Sequence, residues 1–167
     1  AQILMIVGGF SSGDEPDGSG KFIANVLRNP KISKAIDTMR ANDGLILGIC
    51  NGFQALIKSG LLPYGDIARL NEENPTLFRN NINRHVSHIA RTRVTSNASP
   101  WFMSMTPGEM HSVAMSHGEG KFVASKEVLE ELVKNGQVAT QYVNEEGVPT
   151  MDGLDTVSYT HLTLPTT

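Results

Sequence analysis

A single cysteine at a glycine-flanked corner constrains this chain more than any other feature. Cys50 lies in the segment G-I-C-N-G at 48–52, after the apolar run 45–47 and before the amphipathic stretch 53–60. This order predicts a strand, an abrupt turn and a helix, with G-x-C-x-G as the thiol counterpart of the G-x-S-x-G nucleophile elbow. The glycines let the two backbones approach closely, and the positive end of the following helix favours a reactive thiol. The alternative interpretation is a small buried hydrophobe, which is the usual fate of a lone cysteine.

The composition predicts one soluble globular domain. The 167 residues are 40% hydrophobic and carry a net charge of −3, so no basic surface for nucleic acid or an anionic membrane is expected. One cysteine excludes an internal disulfide framework, which makes the reducing cytoplasm the expected compartment. No apolar run approaches the roughly 20 residues of a membrane-spanning helix. The chain opens on a strand-like run without an initiator Met, so we expect a piece of a longer protein.

Strand and helix patterns alternate through the first half of the chain. An apolar run at 3–7 ends in two glycines, helical patterns follow at 19–29 and 32–41, and the elbow helix ends at Gly60. This alternation predicts an α/β fold of three layers, with a mainly parallel sheet and helices on both faces, incomplete at both ends.

The second half begins with a polar stretch, 61–84, that reads as irregular. Beyond it, the patterns predict strands and one helix capped by a serine: strands at 85–94, 113–115, 121–124 and 137–143, and a helix from Ser125 to Lys134.

The end of the chain differs in composition from the rest. From Thr156 to Thr167 there are five threonines and no Asp, Glu, Lys or Arg, with neither strand alternation nor a helical stripe. We therefore divide the chain into a folded part, 1–152, and a non-native or disordered tail, 153–167.

Two backbone amides are candidates for an oxyanion hole. The glycine pair that ends the first strand should reach the same sheet edge as Cys50, because sites in open α/β sheets form beyond the carboxyl ends of the strands. One N–H from this turn and one from the residue after the nucleophile would hold an oxyanion. This geometry predicts Gly9 and Asn51 as the donors; the alternative is that the glycines only permit a turn.

Histidines that could activate the thiol occur only in the second half. His117 has a carboxylate two residues on, Glu119, which is the pairing that a nucleophilic thiol needs. His85, His88 and His111 are alternatives, and sequence does not place any of them beside the cysteine. We expect no metal site, because the sole thiol occupies the elbow and no histidine pair falls at i, i+4 on a helix.

Four segments taken together resemble the class I glutamine amidotransferase domain of phosphoribosylformylglycinamidine synthases. They are G-G-F-S at 8–11, G-D at 13–14, the elbow G-I-C-N-G-F-Q at 48–54 and S-H-G-E-G at 116–120. The stretch D-E-P-D-G-S-G-K-F at 14–22 looks like the version fused to the C-terminus of a large single-chain synthase.

The resemblance implies roles for several side chains. The cysteine matching Cys50 attacks the glutamine side-chain amide, releases ammonia and forms a thioester that water hydrolyses, with Gly9 and Asn51 as oxyanion donors. Gln54 matches a residue that holds glutamine. Asn80 and Arg84 fall in a segment similar to a glutamine-contacting N-x-x-x-R-F stretch, in which a histidine here replaces the phenylalanine.

This chain departs from the family's pattern in one respect, and the resemblance also implies a set of partners. The family's catalytic histidine and acidic residue follow the strand at 137–143 and a further hairpin, whereas this chain first enters the Thr-rich tail. His117 and Glu119 match a different motif, so we expect the nucleophile without its base and an inactive fragment. The partners implied are glutamine and the synthetase part of the same parent chain. ATP and Mg²⁺ would bind in that absent part, with no cofactor in this domain.

Two rival functions compete with this interpretation. One is a redox-sensor or chaperone-like α/β protein that displays a reactive thiol without acyl transfer. The other is a non-catalytic remnant that keeps the fold.

Overall fold

The computed structural model describes residues 1–12, 14, 18–67 and 74–149, together with the backbone of His161–Leu162. The chain divides into two compact units, Ala1–Asn74 and Pro75–Thr167. We refer to the first as the elbow unit and to the second as the antiparallel unit.

The described residues of the elbow unit form two strands and four helical segments. They follow one another as β1 (Ile3–Ile6), α1 (Lys21–Leu27), α2 (Pro30–Arg40), β2 (Leu45–Gly48), α3 (Asn51–Ser59) and a helical turn α4 (Leu61–Tyr64).

Strands β1 and β2 are parallel neighbours, in register from the pair Ile3–Leu45 to the pair Ile6–Gly48. A parallel pair needs a crossover connection, and α1 and α2 supply it. The βαβ pattern predicted for the first half is therefore confirmed, and both strands end at the elbow.

Local sequence signals explain where the helices of the elbow unit begin and end. Proline occupies the first turn of α2, where its missing N–H costs nothing, and the side chain of Asn29 accepts from Lys31 N–H at 3.0 Å. The helix thus starts two residues before the predicted Ile32. Gly60 ends α3 in the left-handed conformation, as predicted. The apolar face of α3 is buried, with Ala55 fully inaccessible.

Where the structure describes it, the antiparallel unit contains the remaining strands and one α-helix. They are β3 (Thr76–Phe78), β4 (Val86–Val94), β5 (Met110–His117), β6 (Lys121–Val123), α5 (Lys126–Lys134), β7 (Val138–Tyr142) and β8 (His161–Leu162), with a 3₁₀ turn at Pro100–Phe102. Ser125 caps α5 as predicted, since its hydroxyl accepts from Val128 N–H at 3.3 Å.

The strand pairing in the antiparallel unit corrects the prediction of a mainly parallel sheet. One sheet has the order β5-β4-β7-β8, a second pairs β3 with β6, and every pairing in both is antiparallel. The reason lies in the connection between β4 and β5, which carries only the 3₁₀ turn and no crossover helix. The α/β class itself is confirmed.

Two further predictions need correction or delimitation. The stretch 61–84 is not irregular throughout, because it contains β3. The turn α4 is itself interrupted at Leu62, whose φ of −109° and ψ of 139° are extended. In the Thr-rich tail, His161–Leu162 forms a short strand against β7, although no strand was predicted there. The other residues of the predicted tail, 153–160 and 163–167, lie outside the described residues.

Candidate active site

Cys50 occupies the corner between β2 and α3 in a strained backbone conformation. Its φ is 53° and its ψ is −113°, and the side chain is exposed. A positive φ is costly for a residue with a Cβ and persists where surrounding structure imposes it, commonly at active sites. The exposure rules out the alternative of a small buried hydrophobe. The nucleophile-elbow geometry predicted from G-x-C-x-G is therefore present.

The glycines around Cys50 are needed for close backbone approach. A Cβ at Gly52 would overlap the carbonyl oxygen of Ile6 at the end of β1. A Cβ at Gly48 would lie 2.6 Å from a methyl carbon of Leu56 and 2.9 Å from the backbone of Gly52. Strand and helix thus meet at distances that only glycine allows.

The turn after β1 lies beside the cysteine, as the sequence predicted. A Cβ on Gly8 would be 2.9 Å from the Cβ and 3.6 Å from the sulfur of Cys50. Gly9 follows with a φ of 122°, and no atom of the described chain lies within 4 Å of its own would-be Cβ. The turn therefore has open space beside Gly9, which suits the oxyanion role predicted for that residue.

Asn51 is the first residue of α3, and its side chain is buried. As the first helical residue its backbone N–H has no acceptor within the helix, which suits the second oxyanion role. The side chain is 3% exposed, and its Nδ2 donates to Asp14 at 3.2 Å. Its Oδ1 has no hydrogen-bond partner among the described residues.

Asp14 is a residue that the sequence interpretation did not place in the site. Its side chain is 6% exposed, and its Oδ1 accepts from Phe22 N–H at 3.0 Å. Burial by itself disfavours the charged form, but the hydrogen bonds, the strongest from the Phe22 backbone, outweigh burial and lower the pKa of Asp14. The only sequence signal for this role was the G-D pair that follows the first glycine turn.

Gln54 lies one helical turn beyond the nucleophile and is half-buried. Its backbone N–H donates to the carbonyl of Cys50 at 3.1 Å. The elbow unit thus brings together four of the predicted site residues: Gly9, Cys50, Asn51 and Gln54.

The other predicted site residues lie together in the antiparallel unit. Asn80 is 2% exposed; its Nδ2 donates to the carbonyl of Arg84 at 3.1 Å and to that of His117 at 2.9 Å. Its backbone N–H donates to Gly118 at 2.9 Å. Two motifs that are far apart in sequence are therefore held to each other by one buried amide. That arrangement gives Asn80 a structural role, and its contact with glutamine stays a prediction.

His117 does not form the histidine–carboxylate pair considered in the sequence. Neither of its ring nitrogens has a hydrogen-bond partner within the described part of the chain, and both are buried. Burial first, and then the nearby His85 and His88, lower its pKa below the usual value. Glu119 instead approaches Arg79, with 3.6 Å between carboxylate oxygen and guanidinium nitrogen.

Neither a metal-ligand cluster nor a membrane-spanning helix is present among the described residues. Across those residues, no group of three or more His, Cys, Asp or Glu side chains is arranged to hold a metal ion. Over the same ranges, every helix is too short or too polar to cross a bilayer.

The elbow unit defines a class: an α/β fold that displays an exposed cysteine on a strained strand-to-helix turn beside a glycine turn. Residues 1–154 match the profile of the CobB/CobQ-like glutamine amidotransferase domain. The chain belongs to this family.

Curated relatives carry a more specific name. The chain is 32% identical over 148 residues to phosphoribosylformylglycinamidine synthase subunit PurQ of Salinibacter ruber, covering 89% of this chain and 56% of the relative. It is 35% identical over 148 residues to the PurQ subunit of Symbiobacterium thermophilum, covering 88% of this chain and 56% of the relative. The chain therefore spans about half the length of these relatives.

A solved structure supports the fold. The structure of PurLQS from Thermotoga maritima aligns with a TM-score of 0.64 at 24% identity, covering 97% of this chain and 68% of that one. At this identity the likeness shows the fold alone.

Proposed function

We propose that this chain is the glutaminase portion of a phosphoribosylformylglycinamidine synthase, the glutamine-using enzyme of purine biosynthesis. The observation that carries the proposal is Cys50, exposed at positive φ on the elbow, with Gly8 so near that a Cβ built on it would lie 3.6 Å from the sulfur. Family membership supports the reaction class, and the name shared by the PurQ relatives supports the pathway.

The chemistry proceeds in two half-reactions. The thiolate of Cys50 attacks the side-chain carbonyl carbon of glutamine, and the amides of Gly9 and Asn51 stabilise the resulting oxyanion. The C–N bond breaks and the nitrogen takes up a proton. Ammonia departs, and a glutamyl thioester remains on Cys50. Water then attacks the thioester, which releases glutamate and restores the thiol.

The proton for ammonia comes from outside the elbow unit. Residues 1–74 contain no histidine; the five histidines of the chain are at 85, 88, 111, 117 and 161. The resemblance places the catalytic histidine and acidic residue further along the chain than 152. We therefore assign no general base among the described residues.

In the full-length protein, ammonia from this portion feeds an amide-to-amidine conversion on formylglycinamide ribonucleotide. ATP and Mg²⁺ bind in the synthetase portion of the same parent protein, which lies outside this chain. In the full-length protein we expect β1 and β2 to belong to one sheet with helices on both faces, a three-layer fold. The reducing cytoplasm suits an enzyme that depends on a single exposed thiol.

The test separates glutamine use from synthesis. In the full-length protein, Cys50→Ala should abolish glutamine-dependent amidine formation and leave formation from added ammonium unchanged. A diazo-ketone glutamine analogue should label the wild-type protein at Cys50, as read by peptide mass. Adduct on another residue, or loss of the ammonium-dependent reaction in the variant, would overturn the proposal.

The 167-residue chain on its own should hydrolyse glutamine negligibly. A positioned general acid or base is typically worth about 10²–10⁴-fold, and the resemblance puts that group beyond residue 152. Ammonia release from the purified chain is compared with release from the full-length protein, per mole of titrated thiol. Equal rates would show that the base lies within residues 1–152.

A further inference from the structure

The carboxylate of Asp14 connects three segments of the elbow unit. Its Oδ2 accepts from Asn51 Nδ2 at 3.2 Å and from Ser11 N–H at 3.4 Å, and its Oδ1 accepts from Phe22 N–H at 3.0 Å. The backbone of Gly20 supplies a fourth hydrogen bond. The glycine turn after β1, the start of α1 and the start of α3 are therefore held by one side chain.

These three segments include both proposed oxyanion donors. Ser11 is two residues after Gly9, and Asn51 is itself the second donor. The start of α1 packs directly on α3, because a Cβ at Gly20 would lie 2.6 Å from the backbone nitrogen of Ala55. Loss of the carboxylate would therefore leave both donors free to shift.

The carboxylate is unsuited to acid–base chemistry on the substrate. An ionised carboxylate offers about four acceptor positions, and four donors from the protein already point to this one. The side chain is 6% exposed, so it does not face solvent. Its influence on the reaction must pass through the residues that it binds.

We propose that Asp14 is a positioning residue that sets the two oxyanion donors, Gly9 and Asn51, at the distance required by the developing oxyanion. This inference rests on the proposed glutaminase function. Oxyanion donors act at 2.7–3.1 Å from the charge that they stabilise, as a general rule, and losing one costs about 10²–10³ in kcat. A carboxylate that only holds them in place should matter less than a donor itself.

The experiment compares Asp14→Asn with Asp43→Asn in the full-length protein. Asp43→Asn is the same chemical change in the same unit. Asp43 is exposed and takes no part in the hydrogen bonds of Asp14. Turnover is expressed per mole of Cys50 titrated by the diazo-ketone analogue, so that unfolded molecules do not count. Asp14→Asn should lower kcat about 10- to 100-fold, since small misplacements of catalytic groups have effects of this size. KM should change little, and Asp43→Asn should match wild type.

Alkylation by iodoacetamide provides the second readout. It needs the thiol but no oxyanion hole, so its rate at Cys50 should be similar in wild type and Asp14→Asn. Asn51→Ala keeps the backbone N–H and the carboxylate's three backbone donors, and it serves as the alternative variant if Asp14→Asn does not fold. The double variant should be no slower than the slower single variant, because both substitutions break the same contact.

Several outcomes would overturn the proposal. An unchanged kcat per titrated thiol in Asp14→Asn would show that Asp14 has only a structural role. A raised KM at constant kcat would make it a substrate contact, and multiplicative losses in the double variant would show that it does not act through Asn51. If wild-type protein releases no ammonia from glutamine, the proposed function has failed instead.

Discussion

The elbow unit and the antiparallel unit are stabilised by interactions of different range. In the elbow unit, the conformation of Cys50 follows from glycines two residues away on each side and from the strand and helix that flank it. In the antiparallel unit, the segment around Asn80 takes its conformation from residues 37 positions further along, through the bond to His117. The motif of the first arrangement is continuous in sequence, whereas the second arrangement joins two separate motifs.

The two units also differ in how accessible their motif residues are. Cys50 is exposed, and the backbone around it is oriented for chemistry. Asn80 is buried, and both hydrogen bonds of its amide nitrogen go to backbone carbonyls. Cys50 is thus accessible to a reagent or substrate, whereas Asn80 supports the backbone of the two segments that it joins.

The largest stability effect is expected from Gly52→Ala. The added Cβ would overlap the Ile6 carbonyl oxygen, a backbone atom that cannot move aside without displacing β1. Overpacking typically costs about 1–3 kcal/mol and occasionally more, and this backbone clash belongs at the upper end. Urea unfolding of the full-length protein, with Gly118→Ala as control, measures the loss.

Gly118 offers the matched site in the antiparallel unit, where the nearest atoms to an added Cβ are 3.9 Å away. Its alanine variant should unfold close to wild type. If Gly52→Ala is as stable as Gly118→Ala, the close approach of strand and helix at the elbow is not a requirement of the fold.

Asn80→Ala distinguishes a structural role from a substrate contact. Removing a buried amide that satisfies two carbonyls should lower the free energy of unfolding by about 1–3 kcal/mol. Asn81→Ala, at the exposed neighbouring position, is the control and should have a much smaller effect. Thermal melting and KM for glutamine are measured on both variants. A raised KM with unchanged melting would favour the glutamine contact predicted from the resemblance.

The sequence predicted the elbow unit well because its signals are local. The βαβ order and the Gly60 helix end follow from patterns within a few residues of each feature. The position of Gly8 beside Cys50 was predicted from the general rule that neighbouring parallel strands end at the same sheet edge. The three-dimensional role of Asp14 was not predicted, because its bond to Asn51 joins residues 37 positions apart.

In the antiparallel unit the sequence predicted most elements but not their pairing. Strand β4 was expected almost as it is found, and Ser125 was correctly placed as a helix cap. The partner of each strand was not predictable, since alternation fixes which face is buried and not which neighbour is bonded. Strand β3 is only three residues long and pairs with β6 across the chain, so no local pattern marked it.

His117→Ala should retain a large share of glutaminase turnover in the full-length protein. Neither ring nitrogen has a partner among the described residues, so no carboxylate orients the imidazole as a base requires. Steady-state kinetics at neutral pH, with the exposed His111→Ala as control, provide the measurement. A loss near the ~10⁴-fold scale of a missing triad member would make His117 the base.

The smallest expected effect is on the pH dependence of stability. The pKa of His117 is lowered by burial and by His85 and His88, so in the folded state it lies below 6.5, the ordinary value of a histidine. Above about pH 6.5 the imidazole is neutral in both states, and full stability is present. As the pH falls below that value the unfolded chain binds a proton that the folded chain does not. Stability therefore declines until the pH reaches the folded pKa, below which the loss stays constant.

His117→Gln removes this titration, so its free energy of unfolding should fall less than that of wild type between neutral pH and the folded pKa. His111→Gln provides the control for one fewer histidine at an exposed position of the same unit. Urea unfolding at a series of pH values gives both slopes. Identical slopes for wild type and His117→Gln would mean that the imidazole is as easily protonated in the fold as in the unfolded chain, contradicting the burial that sets it apart from the exposed thiol of the elbow unit.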